Sequence, residues 1–421
     1  MSGDRPLRND ASHRAPRPWV ALFGLIFMMS WSGNQFTPLL LLYKAEDHYS
    51  SLVVNAFLGI YVLGLAPSLL LAGALSDRYG RKPVMFIGVF VTIAASTALG
   101  FGVFGAGPLY LGRLLAGVAV GIAMAVGTSW MKEVSSAPYD TSGDVGAGAR
   151  RASLAFTIGS ATGALVAGGV AQLTPFGEVL PFVVNIALTI PFLWLIARVP
   201  ETSLTGGVRG PLREQFRIPA AGHKRFVRVV AVMAPWLFAA AAIGYGYLPV
   251  LLDGPSAGFG VGYATALCVI MLSTSALVQP FAKRLDSPTS ARAMLVGLGI
   301  IVVGLAGAIV VDRTQSLVLG AVVAFVFGAG FGIGLVSSLL EVQRIAKPTD
   351  LAGLTGLFYA LAYSGFVLPA LLAAITPPFT TPVLFSALVV LAIVCFFVIL
   401  ASTRRHLPEL EPRTDSNPDD R

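Results

Sequence analysis

The sequence predicts an all-α membrane protein of twelve spanning helices, arranged as two pseudo-symmetric six-helix bundles with both termini in the cytoplasm. Three observations carry that expectation. Only 12% of the 421 residues are charged and 55% are hydrophobic, with a mean hydropathy of +0.78; soluble domains carry roughly 25% charged residues. Apolar runs of about 20 residues recur along the chain, long enough for a helix to cross roughly 30 Å of hydrocarbon. Positive charge collects in every second connection between those runs.

The runs fall at about 18–43, 52–75, 83–104, 109–131, 152–173, 179–198, 229–252, 259–282, 293–311, 317–340, 351–375 and 381–401. In lipid each must be helical, because every backbone amide has to find its partner within the segment. The first run follows four arginines and superficially resembles a secretory signal. At about 25 residues it is too long for a signal core, and no small-residue cleavage site follows it, so it is read as the first span.

One set of connections carries Arg5, Arg8, Arg14 and Arg17, then Arg78, Arg81, Lys82, Lys132, Arg150 and Arg151, and then the 198–228 stretch. It continues through Lys283, Arg284, Arg292, Arg344 and Lys347 to the C-terminal tail. The other set (44–51, 105–108, 174–178, 253–258, 312–316, 376–380) carries only Lys44 and Arg313. The positive-inside rule places the first set, and with it both termini, in the cytoplasm. The net charge of +8 is therefore membrane topology and not a nucleic-acid footprint. Cys268 and Cys395 lie in apolar runs, the four histidines have no partner at ligand spacing, and neither a disulfide framework nor a metal site is expected.

Residues 199–228 form the longest polar interruption and divide the chain into a tail (1–17), a first bundle (18–198), a linker (199–228), a second bundle (229–401) and a tail (402–421). Weak internal matches cross that division. Glu133-Val134 meets Glu341-Val342, Ser129 meets Ser337, and "VPETS" at 199 meets "LPELE" at 407, all at an offset of 208; Asp77 meets Asp286 at 209. Their common offset points to duplication of a six-helix unit.

Between the second and third runs lies "GALSDRYGRKP", with four charges in six residues. This stretch resembles the signature of the major facilitator superfamily, G-x-L-[SA]-D-R-x-G-R-[KR], matched by Gly73, Leu75, Ser76, Asp77, Arg78, Gly80, Arg81 and Lys82. A second signature, R-x-x-x-G, is matched by Arg113 and Gly117. A third, the glycine-rich fifth-span motif of the drug:proton antiporters, is only partly met: "GSATGALVAGG" keeps Gly159, Gly163, Gly168 and Gly169, but has Ala164 in place of proline. "PET" at Pro200–Thr202 also occurs in those exporters.

From the residues themselves, Gly73 and Gly80 are expected to permit a tight hairpin, and Asp77 to sit at a helix end where a positive dipole stabilises it. The resemblance places that dipole at the start of helix eleven, near "KPTDLAG" (347–353), and has Arg81 bridge Asp77 to Glu133. The group would latch the two halves on the cytoplasmic side while the protein faces outward. Arg78 and Lys82 are equally well explained as topology charges.

Only Arg113 is clearly a charge within a span, about five residues into the fourth run from the outer side, and such charges mark function by default. It is expected to pair with Asn34-Gln35 of the first span. No Asp or Glu stands in the middle of any run, so a proton route would involve Asp77, Glu133 or Glu341 on one side, or Asp253 and Asp312 on the other. The candidate cavity residues are Trp31, Asn34, Gln35, Arg113, Asn185, Tyr245, Phe331, Tyr359 and Tyr363, with Tyr247 and Phe327 as further aromatics. One cation with no anion disfavours cationic substrates, whose charge would be buried unpaired.

The resemblance implies a secondary transporter that works by alternating access, and short loops without sorting signals point to a bacterial inner membrane. It would export a neutral or anionic amphipathic small molecule, with an ion gradient, protons first, as its energy source, and without a bound cofactor. An importer of a sugar or small organic acid is the alternative; the second-half stretch "AKRLDSPTSAR" keeps Asp286 but loses the glycine and second arginine that sugar carriers repeat. A non-transporting sensor is a third reading. An enzyme is not expected, for there is no phosphate-binding loop or nucleophile elbow. A monomer is expected, touching anionic inner-leaflet lipids through Arg209, Arg213 and Arg217 of the 198–228 stretch.

Overall fold

Runs of apolar residues without internal polar partners leave the backbone no choice but to bond to itself, and helices joined by short turns make up most of the described residues. The computed structural model describes residues 17–46, 48–141, 146–203, 218–346, 351–376 and 378–405. Eleven helices are long and apolar enough to cross a membrane. They are α2 (Ser51–Tyr79), α3 (Arg81–Phe104), α4 (Ala106–Val134), α5 (Ala147–Leu173), α6 (Leu180–Arg198), α7 (Phe226–Leu251), α8 (Gly260–Leu285), α9 (Arg292–Thr314), α10 (Leu317–Ile345), α11 (Gly353–Ile375) and α12 (Thr381–Ser402).

The segment expected as one span at 18–43 is not a single helix. It consists of α1 (Pro18–Asn34), a 3₁₀ turn at Thr37–Leu39 and a short helix at Leu40–Glu46. Pro38 supplies the reason, since it has no N–H to continue the α-helical ladder.

Helix pairing repeats across the chain. In the first half α2 packs on α4, α1 on α5, and α3 on both α4 and α6. Six helices later the same pairs recur: α8 on α10, α7 on α11, and α9 on both α10 and α12. Between the halves, α5 meets α8 and α2 meets α11. Outward-facing Leu, Val, Ile and Phe side chains are exposed on most helices, as a lipid-facing surface requires.

Two boundaries differ from expectation. Helix α2 continues to Tyr79 and α3 starts at Arg81, so Gly73 lies inside α2 and takes no part in the hairpin. The whole reversal is made at Gly80, with φ +102° and ψ 157°, a conformation open essentially to glycine alone. The polar linker is also shorter at its far end than 199–228: α7 begins at Phe226, and Arg225 just before it is buried. The expected lipid contacts of Arg209, Arg213 and Arg217, the helix start at 347–350 and the "LPELE" match lie outside the described residues.

Candidate functional site

Charge near the Gly80 turn is organised by one arginine. Arg81, the first residue of α3, donates Nη1 to Asp77 Oδ1 (2.5 Å) and to Ser76 Oγ (2.8 Å), both at the end of α2. Its Nη2 reaches Glu133 Oε1 at the end of α4 (2.9 Å). Glu133 also accepts a hydrogen bond from the Thr202 hydroxyl beyond α6. The ends of α2, α3, α4 and α6 are thereby tied together.

Glu201 completes the group. Its two carboxylate oxygens accept the backbone N–H groups of Arg81 (2.9 Å) and Lys82 (2.8 Å), capping the start of α3, where the helix leaves donors unpaired. Partial burial pushes the Glu201 carboxyl up. Hydrogen bonds from the backbone N–H groups of Lys82, Ser203, Arg81 and Thr202 outweigh that and hold its pKa below the ordinary carboxylate value. A Cβ at Gly80 would sit 2.7 Å from Glu201 Oε2, so this glycine is demanded twice, by its backbone angles and by its neighbour. Lys82 turns away to donate to the carbonyl of Ala197 (3.0 Å), and Arg78 lies exposed over the Tyr79 ring.

The second half holds a counterpart. Arg344 of α10 binds Asp286 at the end of α8 through Nη2 and Glu341 Oε1 through Nη1 (3.1 Å). Glu341 is at the same time gripped by Arg225, Nε to Oε2 and Nη2 to Oε1, both at 2.8 Å. The free edge of Arg225 donates to the carbonyl of Thr403 (3.0 Å), after α12. The arginine missing from the "AKRLDSPTSAR" stretch is thus replaced from a different element, three residues after Glu341 on the same helix face.

Arg113 corrects an expectation. It is 2% exposed, and its partners are the carbonyls of Phe57 (Nε, 3.1 Å) and Gly33 (Nη1, 2.9 Å), not Asn34 or Gln35. The guanidinium is stacked between the rings of Tyr61 and Phe36, with centroid distances of 4.5 and 5.0 Å. Gln35 and Asn185 are fully buried and joined through Ser96: Gln35 Nε2 to Ser96 Oγ (3.1 Å), Ser96 Oγ to Asn185 Oδ1 (2.7 Å). They knit α1, α3 and α6 together and do not line a cavity. Tyr247 packs on Phe385 of α12, and Phe327 is buried against α9 at Gly304, so both are packing residues. Trp31 is likewise buried, with its ring against Phe27 and Gly163 of α5.

At the seam between the halves the remaining candidates meet. Tyr363 stacks on Phe238 (3.7 Å, 22°), and Phe331, Phe366 and Tyr61 close around that pair at 5.2–6.2 Å. Tyr245 and Tyr359 pack at the edge of the cluster, on Phe366 and Tyr363. The Tyr363 hydroxyl approaches Met124 Sδ of α4 (3.6 Å), and Asn34 Nδ2 reaches Cys268 Sγ of α8 (3.5 Å).

A family model described as the Major Facilitator Superfamily matches residues 20–370. The chain belongs to this superfamily. Among solved structures it is similar to a variant of the peptide transporter POT in complex with sulfate (TM-score 0.75, 15% identity, 93% of this chain and 95% of that one). It is also similar to a POT family transporter in complex with 5-aminolevulinic acid (0.74, 13%, 94% and 98%). A variant of the nucleoside transporter NupG compares at 0.72 and 14%, over 91% and 99%. At these identities the likeness establishes the shared all-helical fold, and membership of the superfamily makes the chain a multi-pass membrane transporter of the alternating-access kind.

Within that superfamily fold, polar contacts join the halves at mid-depth, through Asn34–Cys268 and Tyr363–Met124, and on the face of loops 44–51, 174–178 and 253–258, through Lys44–Asp253 and Gln172. The two charge clusters sit on the opposite face, each with all its described partners in its own half. Sequence reasoning missed Glu201, Thr202, Arg225 and Arg344 as cluster members. Arg344 was findable from its i+3 spacing to Glu341. Glu201 was not, because only the fold brings residue 201 to the start of α3.

Proposed function

We propose that this transporter is a secondary exporter of a neutral or anionic amphipathic small molecule, driven by an ion gradient, with protons the first candidate. It resides as a monomer in the inner membrane of a bacterium, in twelve spans with both termini inside; α1 and Leu40–Glu46 together make the first span. The observation that carries the substrate class is the interface itself. Rings of Tyr61, Phe238, Tyr363 and Phe366 meet there beside Arg113, and no carboxylate faces Arg113 among the described residues. Such a lining favours an apolar, flat or anionic guest and penalises a cation.

Under this orientation the outer face is closed and the protein faces inward. Asp77, Arg81 and Glu133 then form the resting half of a latch. In the outward-facing state Asp77 turns to the start of α11, and the latch joins the halves. Arg78, Gly80 and Lys82 hold the turn in place.

One observation favours the alternative, an importer of a sugar or small organic acid. The apparent decay of the gate stretch in the second half had argued for export, yet Arg344 rebuilds a full charge cluster there. Accumulation of labelled neutral drugs, aromatic acids, lipophilic cations and sugars in expressing cells, with and without an uncoupler, decides between the two. Export predicts lowered accumulation of neutral or anionic compounds that is lost on uncoupling or in Asp77→Asn. Raised accumulation of sugars or acids makes the protein an importer.

A further inference from the structure

Of the two basic residues in the charge-poor connections, Lys44 has an acidic partner in the other half. Its Nζ lies 2.9 Å from Asp253 Oδ2, and the two carboxyl and ammonium groups are only partly exposed. Among the described residues this is the one ion pair that joins the first half to the second. Beside it, Gln172 at the end of α5 clasps the loop before α8 and its first turn, accepting from the Gly262 N–H (2.9 Å) and donating to the Gly258 carbonyl (3.4 Å). Beneath both, α5 and α8 approach so closely that a Cβ on Gly168 would stand 1.7 Å from the Thr265 hydroxyl.

We propose that Lys44–Asp253, supported by the Gln172 clasp, is a lock on the charge-poor face that must open in each transport cycle. It is the opposite number of the Asp77–Arg81–Glu133 group on the other face. The reasoning is one of placement. A topology charge needs no partner, and a structural ion pair would more economically join neighbouring helices of one half. This pair instead bridges the two bodies whose separation opens that face, so it is formed in one state of the cycle and broken in the other. Its partial exposure makes it weak enough to be broken repeatedly. The inference rests on the alternating-access architecture and not on the direction of transport or on the substrate.

Cys268 provides the readout. It is fully buried eight residues into α8 from this face, where Asn34 reaches it across the seam, and on this proposal opening the face uncovers it. The experiment is the rate of Cys268 alkylation by a water-soluble maleimide in full-length protein in nanodiscs, in a Cys395→Ser background. Lys44→Ala and Asp253→Asn are expected to raise the rate roughly two- to fivefold, the effect of losing a partly exposed ion pair. Lys44→Asp, which sets two acids face to face, is expected to raise it further. Combining Lys44→Asp with Asp253→Lys restores the slow rate. Unchanged labelling in the single variants overturns the proposal, and so does a charge-swapped protein that labels as fast as Lys44→Asp. If substrate accumulation shows no export while the labelling pattern holds, the lock stands and the exporter reading falls.

Discussion

The two halves treat equivalent acids differently. Glu133, at the end of α4, is met by Arg81 from the turn between α2 and α3, and the Asp77 side chain that shares this arginine is 48% exposed. Glu341, 208 residues later at the end of α10, is gripped in fork geometry by Arg225, both side chains almost wholly out of solvent. Arg17 stands at the same offset from Arg225, yet it is exposed at the start of α1. Exposed ion pairs are worth about 0.2–1 kcal/mol and can be exchanged during a cycle. A buried bidentate pair costs about 3–5 kcal/mol to break by removing one partner. On the proposed function the first half carries the switch, and the second half a clamp that ties α7, α8, α10 and the end of α12 together.

The sharpest way to break that comparison is to remove one acid from each half. Glu341→Gln leaves Arg225 buried without its partner and is expected to cost about 3–5 kcal/mol, read as a large drop in thermal unfolding temperature in detergent. If Glu133→Gln costs as much, the two clusters are not switch and clamp. Next in size is Gly80→Ala, which combines a backbone conformation costing about 1–3 kcal/mol for a residue with Cβ and a clash with Glu201. It is measured in the same unfolding assay, and the equivalent change at Gly73 is expected to be near neutral, because nothing lies within 4 Å of its Cβ position.

Glu201→Gln weakens the cap of α3 by about 1 kcal/mol. The Glu201 pKa is lowered on folding, so the carboxylate contributes stability that is fully present above its unfolded value of about 4.3 and is lost as pH falls through the folded value. Unfolding temperature measured from pH 6 downward should therefore fall less steeply in Glu201→Gln than in the wild type. The smallest stability effect is expected for Asp77→Asn, below about 1 kcal/mol, while substrate flux drops severalfold. Equal losses of stability and flux would mean that Asp77 is structural.

Much of the fold was legible because lipid permits so few solutions: eleven expected spans appear as helical segments long enough to cross a membrane, α6 with a turn after Thr189 and α11 with a 3₁₀ turn at Ser364–Val367, and the alternation of basic loops follows their ends. The first span was misjudged at Pro38, where an apolar run hides a broken ladder. The gate triad of Asp77, Arg81 and Glu133 was legible through its motif, and the geometry joins the three. Around them the reading failed wherever partners come from far along the chain. Glu201 reaches the start of α3 across about 120 residues, and Arg225 reaches Glu341 across 116. Burial was equally hidden: Gln35 and Asn185 look like cavity groups in the sequence, and only packing shows them buried and joined through Ser96 inside one half.

The most direct test of the switch is a distance measurement across the face that carries it. Spin labels at Tyr79 and Lys283, exposed residues at the ends of α2 and α8, would be placed on a background without native cysteines, and their separation recorded by pulsed electron resonance. The account predicts two distance populations in the wild type, with Asp77→Asn and Arg81→Ala each shifting weight to the longer one, in which the halves stand apart on this face. A single population that neither substitution moves would contradict it.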